Sequence, residues 1–520
     1  MSSQSSTSKS YDVLIAGAGP VGLMLATELQ LTGSKVLIIE RNHDFDTSIK
    51  AGGINTASVE AFQRRGLLPA LQAASMRTML KKPASSASKS PYAGSAGHFG
   101  GINVPAAAVN MDDPALRGRG EGSSIMLVPQ VEIEKVLFAR ARELGVDIWR
   151  GSSVQDFQAD ETGVTVRVGD SIQPELTELR VPWLVGCDGG HSVVRGLGGF
   201  DFPGTDPQIT GRRAIVEIEG AEKLKPGWQY TPTGVYVYGP MPGLVRTVEF
   251  DGPPADKDAE VTADEMEASL RRSSGVKDIR ISKVLDGSRF TDNARQSSEY
   301  RRGRVFLCGD SAHVHSPFSG QGLNLGLGDA VNLGWKLSGV IQGWLPERVL
   351  DTYNEERRPV GLKVLEWSRS QVAVMRGDRG ASAMRDLMTD FLSTRDGATY
   401  YVRQVSGLGQ FYQFPHDHLQ HPLVGKIMPV IEFDNGTRLS ECMQEGRALL
   451  VDLRSNDEFT SLAKHYSPRL QLVRGVSNYL TLAGLLVRAD GFVAWAGSDV
   501  SDIEGLKGSL QHWLGDPPNW

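Results

Sequence analysis

Near its start the chain holds two apolar runs, residues 11–16 (YDVLIA) and 35–40 (KVLIIE), separated by Gly17-Ala18-Gly19-Pro20-Val21-Gly22 and a helical pattern that reaches residue 30. Uninterrupted apolar runs of this length read as strands buried on both faces. Strand, glycine turn, helix and second strand make a βαβ unit, which commits the chain to a parallel sheet. Gly33 ends the helix, and Glu40 ends the second strand. Glycines at G-x-G-x-x-G spacing let the backbone turn tightly and approach a pyrophosphate. The helix start meets that pyrophosphate with free N–H groups and a positive dipole end. In such units an acid about 20 residues further on holds a ribose. Gly17, Gly19, Pro20, Val21, Gly22, Glu40 and its neighbour Arg41 are therefore expected to bind a dinucleotide. The motif does not choose between dinucleotides.

Residues 304–337 (RVFLCGDSAHVHSPFSGQGLNLGLGDAVNLGWKL) repeat this logic. Val305, Phe306 and Leu307 form a short buried-type strand that stops at Cys308-Gly309-Asp310. A loop with Pro317 and Gly320 then feeds a helix in which Leu323, Leu327, Val331 and Trp335 recur at helical spacing. A carboxylate at a strand end accepts hydrogen bonds from hydroxyls such as those of a sugar chain. Residues 184–195 (LVGCDGGHSVVR) read as a third strand, turn and helix, in which Asp188 either turns under a phosphate or caps the helix.

In this order the three stretches resemble the flavin-dependent aromatic hydroxylases of the p-hydroxybenzoate hydroxylase fold. The resemblance implies FAD. It implies Gly309 and Asp310 at the ribityl chain, and the Pro317 region with Gly320 and Gln321 beside the isoalloxazine. The backbone of Gly322, Leu323 and Asn324 would meet the pyrimidine end. It also implies Gln130 against the FAD, the backbone of Val154 against the adenine, and Asp188 under the pyrophosphate with Arg195 near it. Arg295 is a further cation of the family pattern, and Tyr353 to Arg358 matches its Y..ER.P sequence. Where the family usually carries two arginines, this chain has Lys50 and Ala57. Lys50 either approaches the diphosphate as a point charge without an arginine fork, or is a solvated loop lysine.

The expected fold class is α/β: a Rossmann-like FAD-binding domain, an antiparallel-sheet substrate domain and a thioredoxin-like C-terminal domain. The FAD-binding domain is discontinuous, residues 11–187 and 288–395, with 81–115 contributing to the pocket. The substrate sheet takes residues 188–287, where segments such as AIVEIEG, GVYVYGP and VRTVEFDG alternate as half-buried strands do. Tyr236, Tyr238 and Arg246 are its candidate substrate contacts, or filler. Residues 81–123 read as loop with one strand at HFGGINV, a phrase resembling the hydroxylases of large aromatic polyketides. His98 and Phe99 border the substrate pocket there or are turn residues. Phe318 replaces a smaller family residue and is expected to reshape the pocket. The tail, residues 396–520, mixes strands and helices, ends in a helix over 503–514 and lacks C-x-x-C, which excludes thiol redox chemistry. Packing or a homodimer contact is its expected role.

Composition narrows the partners. A net charge of -6 without a basic stretch argues against nucleic acid and anionic membrane. No apolar run spans a bilayer, and the Ser-rich first ten residues read as a frayed tail without a signal h-region. Three dispersed cysteines show no metal spacing and fit a reducing, cytoplasmic setting. No metal is expected.

The resemblance implies an NAD(P)H-consuming monooxygenase. NADPH would reduce the FAD, O2 would add at flavin C4a, and the flavin C4a-hydroperoxide would hydroxylate a polycyclic aromatic, polyketide-type substrate. Rifamycin-type monooxygenases are a related comparison. A Baeyer-Villiger oxygenase acting on a polyketide quinone or ketone uses the same architecture. A non-oxygenating flavoprotein with an interaction tail is the alternative of another class. No side chain is assigned as a nucleophile or catalytic base.

Overall fold

The computed structural model describes residues 10–48, 50–80, 94–119, 126–170, 176–239, 241–414, 421–476, 482–499 and 502–517. The expected N-terminal tail and residues 81–93 of the expected pocket segment lie outside them. The apolar runs become the centre of a six-stranded sheet. Its order is Arg301–Arg302, Val305–Leu307, Trp183–Gly186, Val13–Ala16, Val36–Glu40, Asp147–Arg150. All neighbours are parallel except the first pair. Val13–Ala16 is wholly buried, as a strand covered on both faces must be. The helices Pro20–Leu31 and Gln321–Ile341 pack against each other on one side of this sheet. They meet closely because Gly326 has no side chain: a Cβ there would lie 2.6 Å from Val21 Cγ2.

A five-stranded antiparallel sheet runs from Thr210 to Phe290, in the order Gly227–Thr231, Gly234–Tyr238, Leu244–Glu249, Thr210–Glu219, Arg280–Phe290. The helix Ala263–Ser274 covers one of its faces. Residues 94–105, read from sequence as a single strand, form a hairpin instead: Ser95–Phe99 pairs with Ile102–Pro105. Gly100 and Gly101 turn it with φ of 56° and 99°, a turn open to consecutive glycines and strained for other residues. A long helix, Asp351–Met375, and the helices Arg379–Ser393 and Arg395–Val405 pack behind this hairpin.

The tail is a βαβ unit followed by a hairpin and a helix. Its strand order is Leu470–Arg474, Ala448–Asp452, Gly484–Val487, Val493–Gly497, with a parallel first pair and antiparallel others. It is not a separate globule. One apolar cluster continues from Val13, Leu14 and Leu37 to Phe459, Leu506 and Trp513 of the tail. At the junction Arg488 is 1% exposed. It holds Glu356 through two hydrogen bonds of 2.7 and 2.8 Å and also bonds Asp490. Lys336 reaches Glu356 at 2.9 Å, and Asn332 donates to it at 2.6 Å. Here two cations, Arg488 and Lys336, face two carboxylates, Glu356 and Asp490. The Arg488 guanidinium also lies 4.4 Å from the Trp513 ring centroid and 4.8 Å from that of Phe414. A second buried pair, Arg65–Glu28 at 2.7 Å, adds bonds from Arg65 to Met443 O and Ala489 O. These contacts support intramolecular packing as the role of the tail.

Arg488→Leu is expected to destabilise the protein by about 3–5 kcal/mol, because Asp490 loses its bonded cation and Glu356 keeps only Lys336. Urea unfolding checks this: the midpoint should fall, and tail and FAD-side probes should still unfold in one transition.

Candidate functional site

The G-x-G-x-x-G loop divides its tasks by space. At Gly17, φ is +105°, and a Cβ would lie 2.4 Å from Cys187 O. At Gly22 a Cβ would lie 2.1 Å from Gly17 O, so this glycine lets the helix sit on the loop. At Gly19 a Cβ would meet nothing within 4 Å. The space over Gly19 is thus open, in front of a helix start that has no side-chain cap and begins with Pro20 and Val21. Glu40 accepts from Ala18 N at 2.7 Å and from Asn42 N at 2.8 Å, which holds the loop against the end of its strand. Arg41 is exposed beside it.

The second helix start behaves alike. Gly320, at φ +60°, precedes Gln321–Ile341, again without a side-chain cap. The first N–H groups of a helix have no partner within it, so two uncapped starts offer two sets of anion-binding donors. Pro317 and Gly320 are exposed, Gly322 and Leu323 half-buried, and Gln321 and Asn324 buried. Asn324 ties its own helix start down: it donates to Gly320 O at 2.8 Å and accepts from Asn55 N at 2.9 Å. Asp310 is exposed at the end of the Val305–Leu307 strand, and its Oδ1 lies 4.0 Å from where a Cβ on Gly322 would stand.

Behind this loop Gly309 N donates to Asp329 at 3.2 Å. Asp329 is fully buried and also binds Arg357 Nε and His313 Nε2, each at 2.7 Å. Burial pushes its pKa up, but Arg357 and His313 outweigh burial and hold it below the usual carboxylate range.

Several expected contacts take other positions. Asp188 caps the Val193–Leu197 helix, accepting from Val194 N at 3.1 Å and Ser192 Oγ at 2.5 Å. Arg195 spends its guanidinium on the carbonyls of Ser311 (2.9 Å) and Gly190 (2.7 Å), joining the second and third motifs. Arg295 binds Asp206 and Phe202 O. Lys50 is exposed and pairs with Asp46 at 2.8 Å, the solvated reading. Gln130 opens the Gln130–Glu143 helix, its amide bonded to Glu134 at 2.9 Å. Val154 is buried in Ser152–Ala159, a strand that packs beside Val36–Glu40.

The substrate-sheet contacts are corrected by register. Tyr236 is buried in the cluster that holds Met266 and Leu270 of the covering helix, and Tyr238 packs on that cluster. Side chains alternate along a strand, so Val235 and Val237 take the other face. Trp228 and Tyr230 of the preceding strand pair with them and share that face with Arg246 and Val248. Neither Trp228 nor Tyr230 was singled out by the sequence reading; the alternation of GWQYT was the available signal. Phe99 is corrected likewise. It is buried against Trp367 (ring centroids 5.0 Å), Leu392 and Tyr401, behind the hairpin. His98 faces forward, 4.8 Å from the Trp228 ring. Phe318 is buried against Phe290, at 5.6 Å between centroids, with Trp228 at 6.4 Å. The result is an aromatic face of the sheet, bordered by Phe318 just ahead of the second helix start and carrying the Arg213–Asp286 pair (3.0 Å) and Arg246. Burial, and then the charge of Arg246, push His98 down to a pKa of about 4, so its imidazole is neutral at pH 7.

Two uncapped helix starts, a bare Gly19 and an exposed acceptor at Asp310 fit a dinucleotide with a polyol. They define an FAD-binding fold, and sequence comparison agrees: residues 10–368 match the FAD binding domain family, and residues 421–517 match the aromatic-ring hydroxylase C-terminal family. The chain belongs to the FAD-dependent aromatic-ring monooxygenases. It is similar to a rifampicin monooxygenase of Streptomyces venezuelae, 35% identical over 95% of this chain and 97% of that one. It is also similar to a dialkyldecalin synthase of Streptomyces rugosporus, 33% identical over 97% and 98% of the two chains. Among solved structures, the anhydrotetracycline hydroxylase OxyS from Streptomyces rimosus superposes with a TM-score of 0.84. It is 33% identical, covering 98% of this chain and 100% of that one. No helix among the described residues is long and apolar enough to cross a membrane, and no cluster there could hold a metal ion.

Gly19→Ala is expected to leave apoprotein stability unchanged and weaken FAD binding by about tenfold or more, the equivalent of one lost hydrogen bond to a charged group. Urea unfolding and flavin-fluorescence titration check the two halves. His98 folds neutral, so its contribution to stability is complete above about pH 6.5 and is lost as the pH falls through about 4. The Tm gap between the wild type and His98→Asn should therefore narrow between pH 7 and pH 4; a gap independent of pH would remove the burial argument.

Proposed function

We propose that the protein consumes NADPH to hydroxylate a polycyclic aromatic substrate. The observation that carries this reading is the aromatic face of Trp228, Phe290, Phe318 and neutral His98 beside the Gln321 helix start, which we read as the wall of a substrate slot. A flat apolar slot with few polar groups suits a fused-ring molecule that those groups orient.

The residues take the following roles. The Gly17–Gly22 loop and the N–H groups of the Pro20–Leu31 helix receive the pyrophosphate. Glu40 holds the adenosine ribose, with Arg41 at the rim, and Val154 borders the adenine through its backbone. Gly309 and Asp310 hold the ribityl chain. The N–H groups of Gly322, Leu323 and Asn324 face the flavin's pyrimidine end, with Pro317, Gly320 and Gln321 alongside. Bound FAD supplies electron transfer from NADPH and the activation of O2. The protein positions the substrate ring in the slot, and the walls of Trp228, Phe318 and Phe290 exclude water from it. Asp188 and Arg195 act on the site through the backbone they fix, and Gln130 contacts the FAD from the start of its helix. The surface pairing of Lys50 with Asp46 supports its reading as a solvated loop lysine. Cys187 and Cys308 lie side by side as free thiols, which supports a reducing, cytoplasmic setting.

The likeness to a dialkyldecalin synthase favours a second reading, in which the same fold holds FAD and closes rings without adding oxygen. One experiment separates them. NADPH oxidation is followed with and without polycyclic phenols and quinones, and the product is analysed after reaction under 18-O2. A substrate-stimulated rate with one labelled oxygen in the product is expected. Product NMR then separates ring hydroxylation from ester insertion. Unlabelled, cyclised product would favour the second reading.

A further inference from the structure

His98 is held more firmly than a loop residue needs to be. Its backbone carbonyl accepts from Tyr401 Oη at 2.9 Å. The next residues are clamped too: Gly100 N donates to Gln371 at 2.9 Å, and Gly100 O accepts from Tyr230 Oη at 2.7 Å. A Cβ on Gly101 would lie 2.3 Å from that hydroxyl, so the turn is seated directly on the sheet. The imidazole is fixed in the same way. Gly101 N donates to His98 Nδ1 at 3.3 Å, so Nδ1 offers its lone pair and carries no proton. In a neutral imidazole the proton is then on Nε2. Burial and the nearby Arg246 charge both oppose a second proton.

Nε2–H is therefore a fixed donor. It has no protein partner among the described residues, and it is not one of the atoms sealed from solvent. It stands at the aromatic slot, where the ring stacks near Trp228. With Nδ1 occupied and a second proton opposed, the group is poorly suited to general base work and well suited to donating. A positioned donor with a cation close by recognises an oxygen that accepts: a carbonyl, or a phenolate next to one.

We propose that His98 is a specificity-determining residue whose Nε2–H binds a carbonyl or adjoining phenolate oxygen of the substrate, so that the slot takes fused-ring quinones and ketones in preference to fused-ring phenols without a carbonyl. This rests on the reading of the slot as the substrate site, and narrows its substrate class. A site built around a hydrogen bond discriminates strongly against an analogue that cannot make it.

The test uses the FAD-loaded full chain and two probes of equal ring number, 1-hydroxyanthraquinone and 1-anthrol. Dissociation constants are read from perturbation of the flavin absorbance, which also reports that each variant is folded. Wild type is expected to bind the quinone at least about tenfold more tightly. His98→Phe keeps a ring against Trp228 and removes the donor, so the preference should vanish with 1-anthrol affinity unchanged. His98→Gln places an amide N–H near the Nε2 position and should restore part of the preference. An unchanged preference in His98→Phe, or an equal loss for both probes in both variants, would overturn the proposal. If wild type binds neither probe, the slot is not a fused-ring site, and the broader reading fails with it. If it binds both equally, only the role of His98 fails.

Discussion

A carboxylate with no exposed surface, Asp329, carries the load at the centre of the FAD side. Burying such a charge costs several kcal/mol unless cations and donors surround it. Arg357, His313 and the N–H of Gly309 surround this one. Gly309 immediately precedes Asp310, so the position of the exposed acceptor is set by the buried one behind it. Arg357 extends the arrangement, donating to Leu325 O at 3.0 Å, Tyr412 Oη at 2.9 Å and Gln410 at 3.0 Å. One guanidinium thus joins the strand end, the helix that starts at Gln321 and the chain leading into the tail.

The neighbouring residue, Glu356, does the same work toward the tail. Burial raises its pKa, but Arg488 and Lys336 outweigh this and bring it down to about 2. Lys336 is brought down to about 8 by burial, which Glu356 opposes, so much of its positive charge survives at pH 7 only because the carboxylate is there. Arg357 and Glu356 are consecutive on one helix and point into two networks, one under the FAD loop and one under the tail. Loss of either network leaves ions stranded in an apolar cluster that both domains share. The tail is thereby tied to the fold that binds the cofactor rather than appended to it.

What could be read from the sequence follows from what each residue is asked to do. Gly17 and Gly22 were legible because neighbouring backbone leaves no room for a Cβ, and such demands recur at fixed spacing. Asp310 was legible for its place between an apolar strand and a glycine loop. The pairs Asp329–Arg357 and Glu356–Arg488 were not. They lie 28 and 132 residues apart, and charged residues on helices or at a strand end ordinarily read as solvated. The sheet shows a different limit. Alternation correctly gave strands at GVYVY, yet it could not say which face looks toward the flavin side, and choosing the tyrosines selected the face beneath the Ala263–Ser274 helix. Arg395–Val405 went unread as a helix because its sequence, with Gly397 and two adjacent tyrosines, is weakly helical; packing on the hairpin supplies what propensity lacks.

The two faces of that sheet differ in how completely they are satisfied. On the helix side Arg212 bonds Glu249 at 2.7 Å and Glu265 at 2.8 Å, Arg272 bonds Glu249, and Ser269 closes the set. These charges answer one another internally, which makes that face a support. The slot side has rings, the Arg213–Asp286 pair and the His98 imidazole. His98 is fixed through its carbonyl and its Nδ1, while its Nε2–H, open to solvent, has no internal partner among the described residues. The asymmetry supports the slot side as the proposed recognition surface: behind the sheet Glu249 and Glu265 quench Arg212, Arg272 and Arg289, and in front Asp286 pairs with Arg213.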